Sequence, residues 1–377
     1  MKKNFTLLSI TLLLIIAILT NITRAQDNEK ENRHNLLGSN AEGKHFWLVF
    51  MQNELFRYNN NVDMRIQVGS RYGDTVTVIV PSLSIFEPAV TFIKYVPPYS
   101  VVTFPINENF ECIGEGVFNL GIEVYSMNHP ISVYGYNSKL QTSDGYLALP
   151  DNSWGTRYIS ANYSVDSYPT DSIIQNVDPL SGNVRDIIRG SESAVVAKED
   201  STYVTIYPTV PTKTITTAGK RILLMRGQVF QFQDSSRSRN GNDLTGSYVL
   251  SDKPVGFFSG HIRAGIGRTK PDLFNAEVSK DHIVEMIPPT NELGRKYLVT
   301  PMQHRNSGGD LLRIIAGVQN FGPIDVTLST NNGDYRNFSL NPLVRYYDFD
   351  LKDVAYIEAS APILVAQYSR SMWTDPD

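Results

Sequence analysis

One cysteine, Cys112, stands in 377 residues, so no intramolecular disulfide can form. A chain of this length has apolar core enough to do without one. Cys112 sits beside the Gly-rich turn Ile113-Gly114-Glu115-Gly116 with no local base, which reads as a small apolar filler rather than a nucleophile. Histidine is scarce as well, at six residues, too few to build much acid–base or metal chemistry. No basic stripe is present, and net charge is −4, which argues against a nucleic-acid groove. No window of twelve or more residues holds a clean 3.6-residue period, so few helices are expected. The one long apolar run, Leu12 to Leu19, is too short to span a membrane and ends at Thr20-Asn21.

What is present begins with that run. Lys2 and Lys3 precede it and Thr23-Arg24-Ala25 follows, the pattern of a secretory signal peptide cut after Ala25. Its removal takes away Lys2, Lys3 and Arg24 and leaves a mature charge of −7. No cysteine follows the apolar run, so a lipoprotein is disfavoured. Residues 26–42 are polar and read as a flexible leader, with order expected from Gly43-Lys44-His45-Phe46-Trp47. Beyond it come short alternating stretches such as Met64 to Val68, Thr75 to Val80 and Ile131 to Tyr136, punctuated by Gly, Pro, Asn and Asp. With 20 Tyr and 17 Phe among Val, Ile and Thr, these are strand signals. The chain is expected to be all-β.

The order of signals repeats. A Thr/Val ladder occurs at Thr75-Val-Thr-Val78, Tyr203-Val-Thr-Ile206 and Ile324-Asp-Val-Thr-Leu328. Two strands around a turn follow each, and then a strand ending in Ser meets one led by Pro. The pairs are Ser126 with Pro130, Ser251 with Pro254, and Ser360 with Pro362. Proline suits a first strand position, where its absent N–H need not pair. Two copies are read as closing alike, on Leu149-Pro150…Trp154-Gly155…Tyr158 and Ile287-Pro288…Gly294…Tyr297. These features predict three related β-sandwich-like units in tandem, over 43–165, 166–302 and 303–377, with the last incomplete. A closed three-fold β assembly is the alternative.

The fullest copy, 242–297, concentrates Asn242-Asp-Leu-Thr-Gly-Ser247, Ser251-Asp-Lys-Pro254, Ser259-Gly260-His261, Asp281-His282…Glu285…Pro288 and Gly294-Arg-Lys-Tyr297. With Gly43 to Trp47 at the front and Val365 to Ser369 at the back, this run resembles the IgGFc-binding protein N-terminal domain family across 43–377. The resemblance implies a secreted or cell-surface, non-enzymatic recognition or adhesion module of bacterial type, which binds an extracellular protein or glycan. The positions matching the family motif are Asp243, Leu244, Thr245, Gly246, Ser251, Pro254, Ser259, Gly260, His261, Asp281, His282, Glu285, Pro288, Gly294 and Tyr297. Members of the family often carry a cysteine after the Ser-Gly-His element and another before Asp-His. Here those neighbourhoods read Ile262-Arg263 and Ser279-Lys280, so the segment from Ala264 to Ala276 is expected to be unstapled and mobile.

Chemistry in this run competes with structure. On a strand, His282 and Glu285 point to opposite faces, and two histidines with one carboxylate make an incomplete metal set. Gly256-Phe-Phe-Ser259-Gly260 lacks the glycine two residues before Ser that a nucleophile elbow needs. Gly265-Ile-Gly267 lacks the flanking strand and helix of a dinucleotide site. No catalytic, cofactor-binding or metal residue is therefore assigned, and a structural role is expected for the motif. Calcium at Asp171 to Asp178 or Asn240 to Asp243 is the residual cofactor alternative. The functional alternatives are an extracellular hydrolase or lyase using His261, His282 and Glu285, and a purely structural scaffold. Asn162-Tyr-Ser164 and Asn337-Phe-Ser339 fit the glycosylation pattern, and Tyr146, Trp154 and Trp373 are aromatics that would suit sugar stacking, although core packing is expected for Trp154, which sits in a repeat-closing motif.

Overall fold

A computed structural model describes residues 41–54, 62–84, 86, 88–139, 142–164, 173–177, 184–235, 243–266, 280–303, 309–318 and 322–370. The expected signal peptide and all but the end of the leader lie outside this set. So do Trp373 and most of the segment from Ala264 to Ala276. Among the described residues there is no α-helix, only strands and three short 3-10 turns.

The first part of the chain forms two facing sheets. Its strands are β1 His45–Leu48, β2 Asp63–Ser70, β3 Asp74–Val80, β4 Val90–Val96, β5 Ser100–Ile106, β6 Gly116–Phe118, β7 Ile122–Ser126, β8 Ile131–Lys139 and β9 Thr142–Leu147. One sheet runs β1-β7-β3-β4 and the other β5-β2-β8-β9. Alternation places Met64, Ile66 and Val68 of β2 and Val76, Val78 and Val80 of β3 in one buried cluster between the sheets. Cys112 is buried in the same cluster, a core filler as its neighbourhood suggested.

The same order recurs downstream. Next come β10 Gly155–Ile159, a hairpin of β11 Ile173–Val177 and β12 Val184–Ile188, β13 Ser191–Ala197, β14 Thr202–Tyr207, β15 Lys220–Leu224, β16 Val229–Gln233, β17 Tyr248–Ala264 and β18 Asp281–Met286. β17 is the central strand of one eight-stranded sheet, order β15-β14-β17-β13-β16-β6, which β10 and β18 also join through it. Its start pairs with β10 and β14, and its end, from Val255, pairs with β13 and β18. Between these halves, Ser251 Oγ donates to Lys253 C=O just before Pro254. At the equivalent corner between β7 and β8, Ser126 Oγ donates to His129 C=O. At Ser126 and Pro130 this corner carries the chain from one sheet to the other, whereas at Ser251 and Pro254 it lies within the continuous strand β17.

The third round is β19 Lys296–Val299, β20 Asp310–Ala316, β21 Ile324–Thr330, β22 Tyr335–Leu340, β23 Tyr346–Leu351, β24 Ala355–Ala359 and β25 Ile363–Tyr368. Its sheets run β19-β24-β21-β22 and β23-β20-β25. These orders match the first round strand for strand, except that among the described residues β25 has no outer neighbour. The all-β, sandwich-like expectation matches this architecture.

One part of the sequence reading changes. The stretches taken as closing strands, Gly155–Ile159 and Lys296–Val299, pair forward with β17 and β24 and so begin the following sandwich. Each anchors itself by a tyrosine three residues after a glycine. Tyr158 hydroxyl accepts from Gly155 N–H and donates to Val255 C=O, and Tyr297 does the same with Gly294 N–H and Ile363 C=O. Pro150 packs on Gly43, and Pro289 on Gly155, so closely that a Cβ at either glycine would collide with the ring. That close approach, rather than a tight corner, explains those two glycines.

The sandwiches stack in series. Ala194, Val196 and Phe258 of the second share the first core, while Ile315 and Leu364 of the third enter the second core.

Candidate functional site

A cleft opens where the second and third sandwiches meet. It measures about 870 Å³, with β18 and its flanks on one wall, β25 on the other, and Ser143 to Gly145 of β9 at one end. Of the motif residues, Ser259, Asp281, His282, Glu285, Pro288 and Tyr297 line it. Asp243, Leu244, Thr245, Gly246, Ser251, Pro254, Gly260, His261 and Gly294 do not.

Alternation on β18 buries His282, Val284 and Met286 and turns Asp281 and Glu285 outward, so His282 and Glu285 sit on opposite faces. His282 Nδ1 faces the carbonyls of His261 at 3.0 Å and Ile262 at 3.3 Å, the geometry of a neutral ring donating to the backbone. His261 Nδ1 accepts from Arg263 N–H at 3.0 Å. Both rings are buried, which holds them below the ordinary histidine range, His261 at about 3 and His282 at about 4. They are therefore neutral near neutral pH. Gly260 lies under Ile283, whose carbonyl leaves no room for a Cβ. Ser259 Oγ is 3.2 Å from Ser193 Oγ and takes part in a buried hydroxyl pair.

The carboxylates behave differently. Asp144 Oδ2 accepts from Val284 N–H at 2.8 Å, and Asp281 Oδ1 accepts from Ser143 N–H at 2.5 Å. Crowding by protein raises Asp144 to about 6, with the charge of Asp281 adding to it. Burial raises Glu285 to about 7, and Asp144 contributes. Glu285 still opens on the cleft, so water screens part of that shift; its direction is upward. The cleft is thus lined by the neutral His282 ring and by readily protonated carboxyls. Among the described residues no group of three His, Cys, Asp or Glu is placed to hold a metal.

The remaining motif residues hold the second junction together. Asp243 Oδ2 accepts from the Arg313 guanidinium at 3.0 Å, and Thr245 Oγ1 lies 3.0 Å from the same nitrogen. Asp348 grips the other side of Arg313 through two bonds of 2.8 Å. Leu244 N–H donates to Ser191 Oγ, and Gly246 adopts φ +81°, which only glycine takes readily. Asp243, offered as a calcium ligand, is thereby engaged with Arg313.

Sequence reasoning missed the buried polar residues. Arg313 interrupts the run Leu311-Leu-Arg-Ile-Ile315, and Arg189, Arg263 and Glu54 meet at the first junction. A charge inside an otherwise apolar strand was the signal available for Arg313. The Tyr146 reading changes as well, while Trp154 takes the core role expected of it. Tyr146 is buried on β9, with its hydroxyl donating to Val49 C=O, and Trp154 packs in the first core, so neither offers a sugar-stacking face. Asn162, a candidate glycosylation acceptor, is buried, and its amide donates to Glu192 and Gly260 carbonyls. Asn337 is exposed on β22.

Comparison with known proteins follows this geometry. No curated protein matches the chain. Among solved structures, a tetra-tandem repeat in the extending region of a large adhesion protein aligns over 82% of this chain and 74% of its own, at 9% identity. Its TM-score of 0.11 is too low to carry any argument. No helix among the described residues is long and apolar enough to cross a membrane. The family model described as IgGFc binding protein matches residues 144–377, which takes in the second and third sandwiches and the cleft between them. That match covers more than half of the sequence, and the chain belongs to the IgGFc binding protein family.

Proposed function

We propose that the chain is a secreted or cell-surface, non-enzymatic recognition module that holds an extracellular protein or glycan in the cleft between its second and third sandwiches. The observation that carries this reading is the contrast within the cleft. His282 turns Nδ1 to the backbone carbonyls of β17, while the cleft beside it is open and lined by both apolar and polar side chains. Rigid scaffolds that leave such a concavity between packed units are the usual setting for a binding site. Membership of a binding family and the signal-like N-terminus support the same reading. The boundaries 43–165, 166–302 and 303–377 remain a proposal, and the pairing of β10 and β19 favours moving both breaks upstream of those strands.

Capture of extracellular glycoproteins and a glycan array, run with the chain and with Glu285→Arg, test the proposal. Glu285 opens on the cleft, so the variant should fold normally and lose the captured ligand. No ligand for either protein, with intact folding, would leave the scaffold reading. Turnover of an ester or glycoside that disappears in His282→Ala would establish the hydrolase alternative instead.

A further inference from the structure

At the first junction, charges fill the face of β1-β7-β3 that carries His45, Trp47 and Glu123. His45 lies between Glu123, at 2.6 Å, and Asp151, at 2.7 Å. The second sandwich adds Arg226, 2.6 Å from Glu123, and Lys198, 3.4 Å from Asp151. Arg226 comes from the turn between β15 and β16. Two carboxylates are held there among three basic side chains.

The repeat puts other residues in these places at the second junction. Arg157 stands two residues after Gly155, as His45 does after Gly43, and Ile159 corresponds in the same way to Trp47. Tyr248 pairs with Ile159 and Tyr207, as Glu123 pairs with Trp47 and Ile79, so a tyrosine replaces the first acid. Thr290 opens the 3-10 turn that Asp151 opens in the first sandwich, and Gly317 follows β20 as Lys198 follows β13. Both acids are gone. Arg345 remains, in the turn between β22 and β23 that matches the turn of Arg226.

A pocket of about 290 Å³ opens at this place, lined among others by Ile159, Tyr207, Thr217, Tyr248, Val318 and Arg345. It shares no lining residue with the cleft. The Arg345 stem crosses Gly246, where a Cβ would come within 3.2 Å of its Cδ, and Nε donates to Pro342 C=O at 3.1 Å. Among the described residues Arg345 has no acidic partner, and desolvation alone, without a charged neighbour, lowers its pKa. The stretches nearest the lining in sequence but outside the described set, 236–242 and 319–321, contain no Asp or Glu. Arg157 shares the face, two residues before Ile159, and its charge reaches Tyr248. The hydroxyls of Tyr207, Tyr248 and Thr217 have no hydrogen-bond partner among the described residues.

We infer that this pocket binds an acidic sugar, whose carboxylate stands where Glu123 stands at the first junction and pairs with Arg345. The guanidinium fork suits a carboxylate, and the unpaired hydroxyls, which both donate and accept, suit the hydroxyls of a sugar ring. The volume is at the small end of ligand sites, room for one sugar residue. The site goes beyond the reading of the cleft and does not depend on it.

A glucuronate-terminated disaccharide, its glucose-terminated counterpart and a blocked dipeptide with a free C-terminal carboxylate are titrated into the full chain by calorimetry. The acidic sugar should bind at one per chain, about ten-fold or more tighter than either control. Arg345→Gln, at a side chain that solvent reaches, should weaken it about ten-fold without moving the melting temperature. Tyr248→Gln should keep part of the binding. Tyr248→Glu should abolish it, because the carboxylate it introduces engages Arg345 as Glu123 engages Arg226. No binding at millimolar concentration, equal binding of the neutral sugar, or indifference to Arg345→Gln would each overturn the inference. So would equal binding by the two Tyr248 variants, or tighter binding of the dipeptide. Loss of the acidic sugar in Glu285→Arg would put it in the cleft and overturn the inference too. If the acidic sugar fails while a glycoprotein or glycan is still captured and lost in Glu285→Arg, this site falls and the recognition reading stands.

Discussion

Between the first and second sandwiches, β9 and β18 lie side by side, and Arg189 and Arg263 close on the buried Glu54. Between the second and third, Arg313 joins Asp243 to Asp348, and among the described residues no strand pairs with the outer edge of β25 and no proline covers Gly294. Both junctions use the same strand order and the same tyrosine anchor. Among the described residues they differ in one strand.

The largest test removes the polar clasp of the open junction. Arg313 is buried, bonds Asn162 C=O at 2.8 Å as well as the two aspartates, and stacks at 4.0 Å over the Tyr346 ring. Arg313→Ala strands Asp243 without its cation and should cost about 3–5 kcal/mol in denaturant unfolding. If the third sandwich depends on this clasp, its tryptic sites should open before those of the first. Simultaneous cleavage throughout would mean that the two junctions melt as one.

Next in size come the glycines. Gly155→Ala drives a Cβ into Pro289 and should cost about 1–3 kcal/mol. Gly294→Ala meets only Tyr297 and should stay within about 0.5 kcal/mol. Equal costs, measured by urea denaturation, would erase the distinction between the junctions. A smaller effect belongs to the anchors. Tyr158→Phe removes two bonds at a buried site and should cost about 1–2 kcal/mol. Tyr297→Phe should cost less, because Tyr297 is only partly buried.

Much of this frame was legible in the chain. The Ser and Pro of each corner, the Thr/Val ladders and the Gly…Tyr pairs gave the strands and their three-fold order, since each marks a local backbone need. Which way a strand pairs is not local. Gly155–Ile159 follows the first sandwich in sequence and joins the second in space, and only the partner strand, some 90 residues on, decides that. The cleft was partly legible: Asp281, His282 and Glu285 attracted notice through crowding, and the alternation rule correctly set His282 and Glu285 apart. β25 did not, because lining a cleft depends on neighbours and leaves no mark in Ile363–Tyr368 itself. Arg313 did leave a mark, a charge in an apolar run, and Asn162 reads as a glycosylation acceptor, but the partners that give each its role are far away in sequence.

The smallest effect is a pH dependence confined to the closed junction. His45 sits between Asp151, 2.7 Å from Nδ1, and Glu123, 2.6 Å from Nε2. Those two bonds, Asp151 first, raise its pKa to about 9 despite partial burial. Because the folded value lies above the ordinary 6.5, the stabilisation is complete below about pH 6.5 and fades as pH rises through 9. Solvent reaches the ring, so the span should be about 1–2 kcal/mol. Across the second sandwich, Lys296 stands in the corresponding place two residues after Gly294, but pairs with Glu358 at 2.8 Å on the open surface. His45→Gln should flatten the stability profile between pH 6.5 and 9, and Lys296→Gln should leave it unchanged. If both variants flatten it, the pH dependence belongs to the strand position. If only His45→Gln does, it belongs to the charges that Lys198 and Arg226 of the second sandwich bring to Asp151 and Glu123, and so to the closure of that junction.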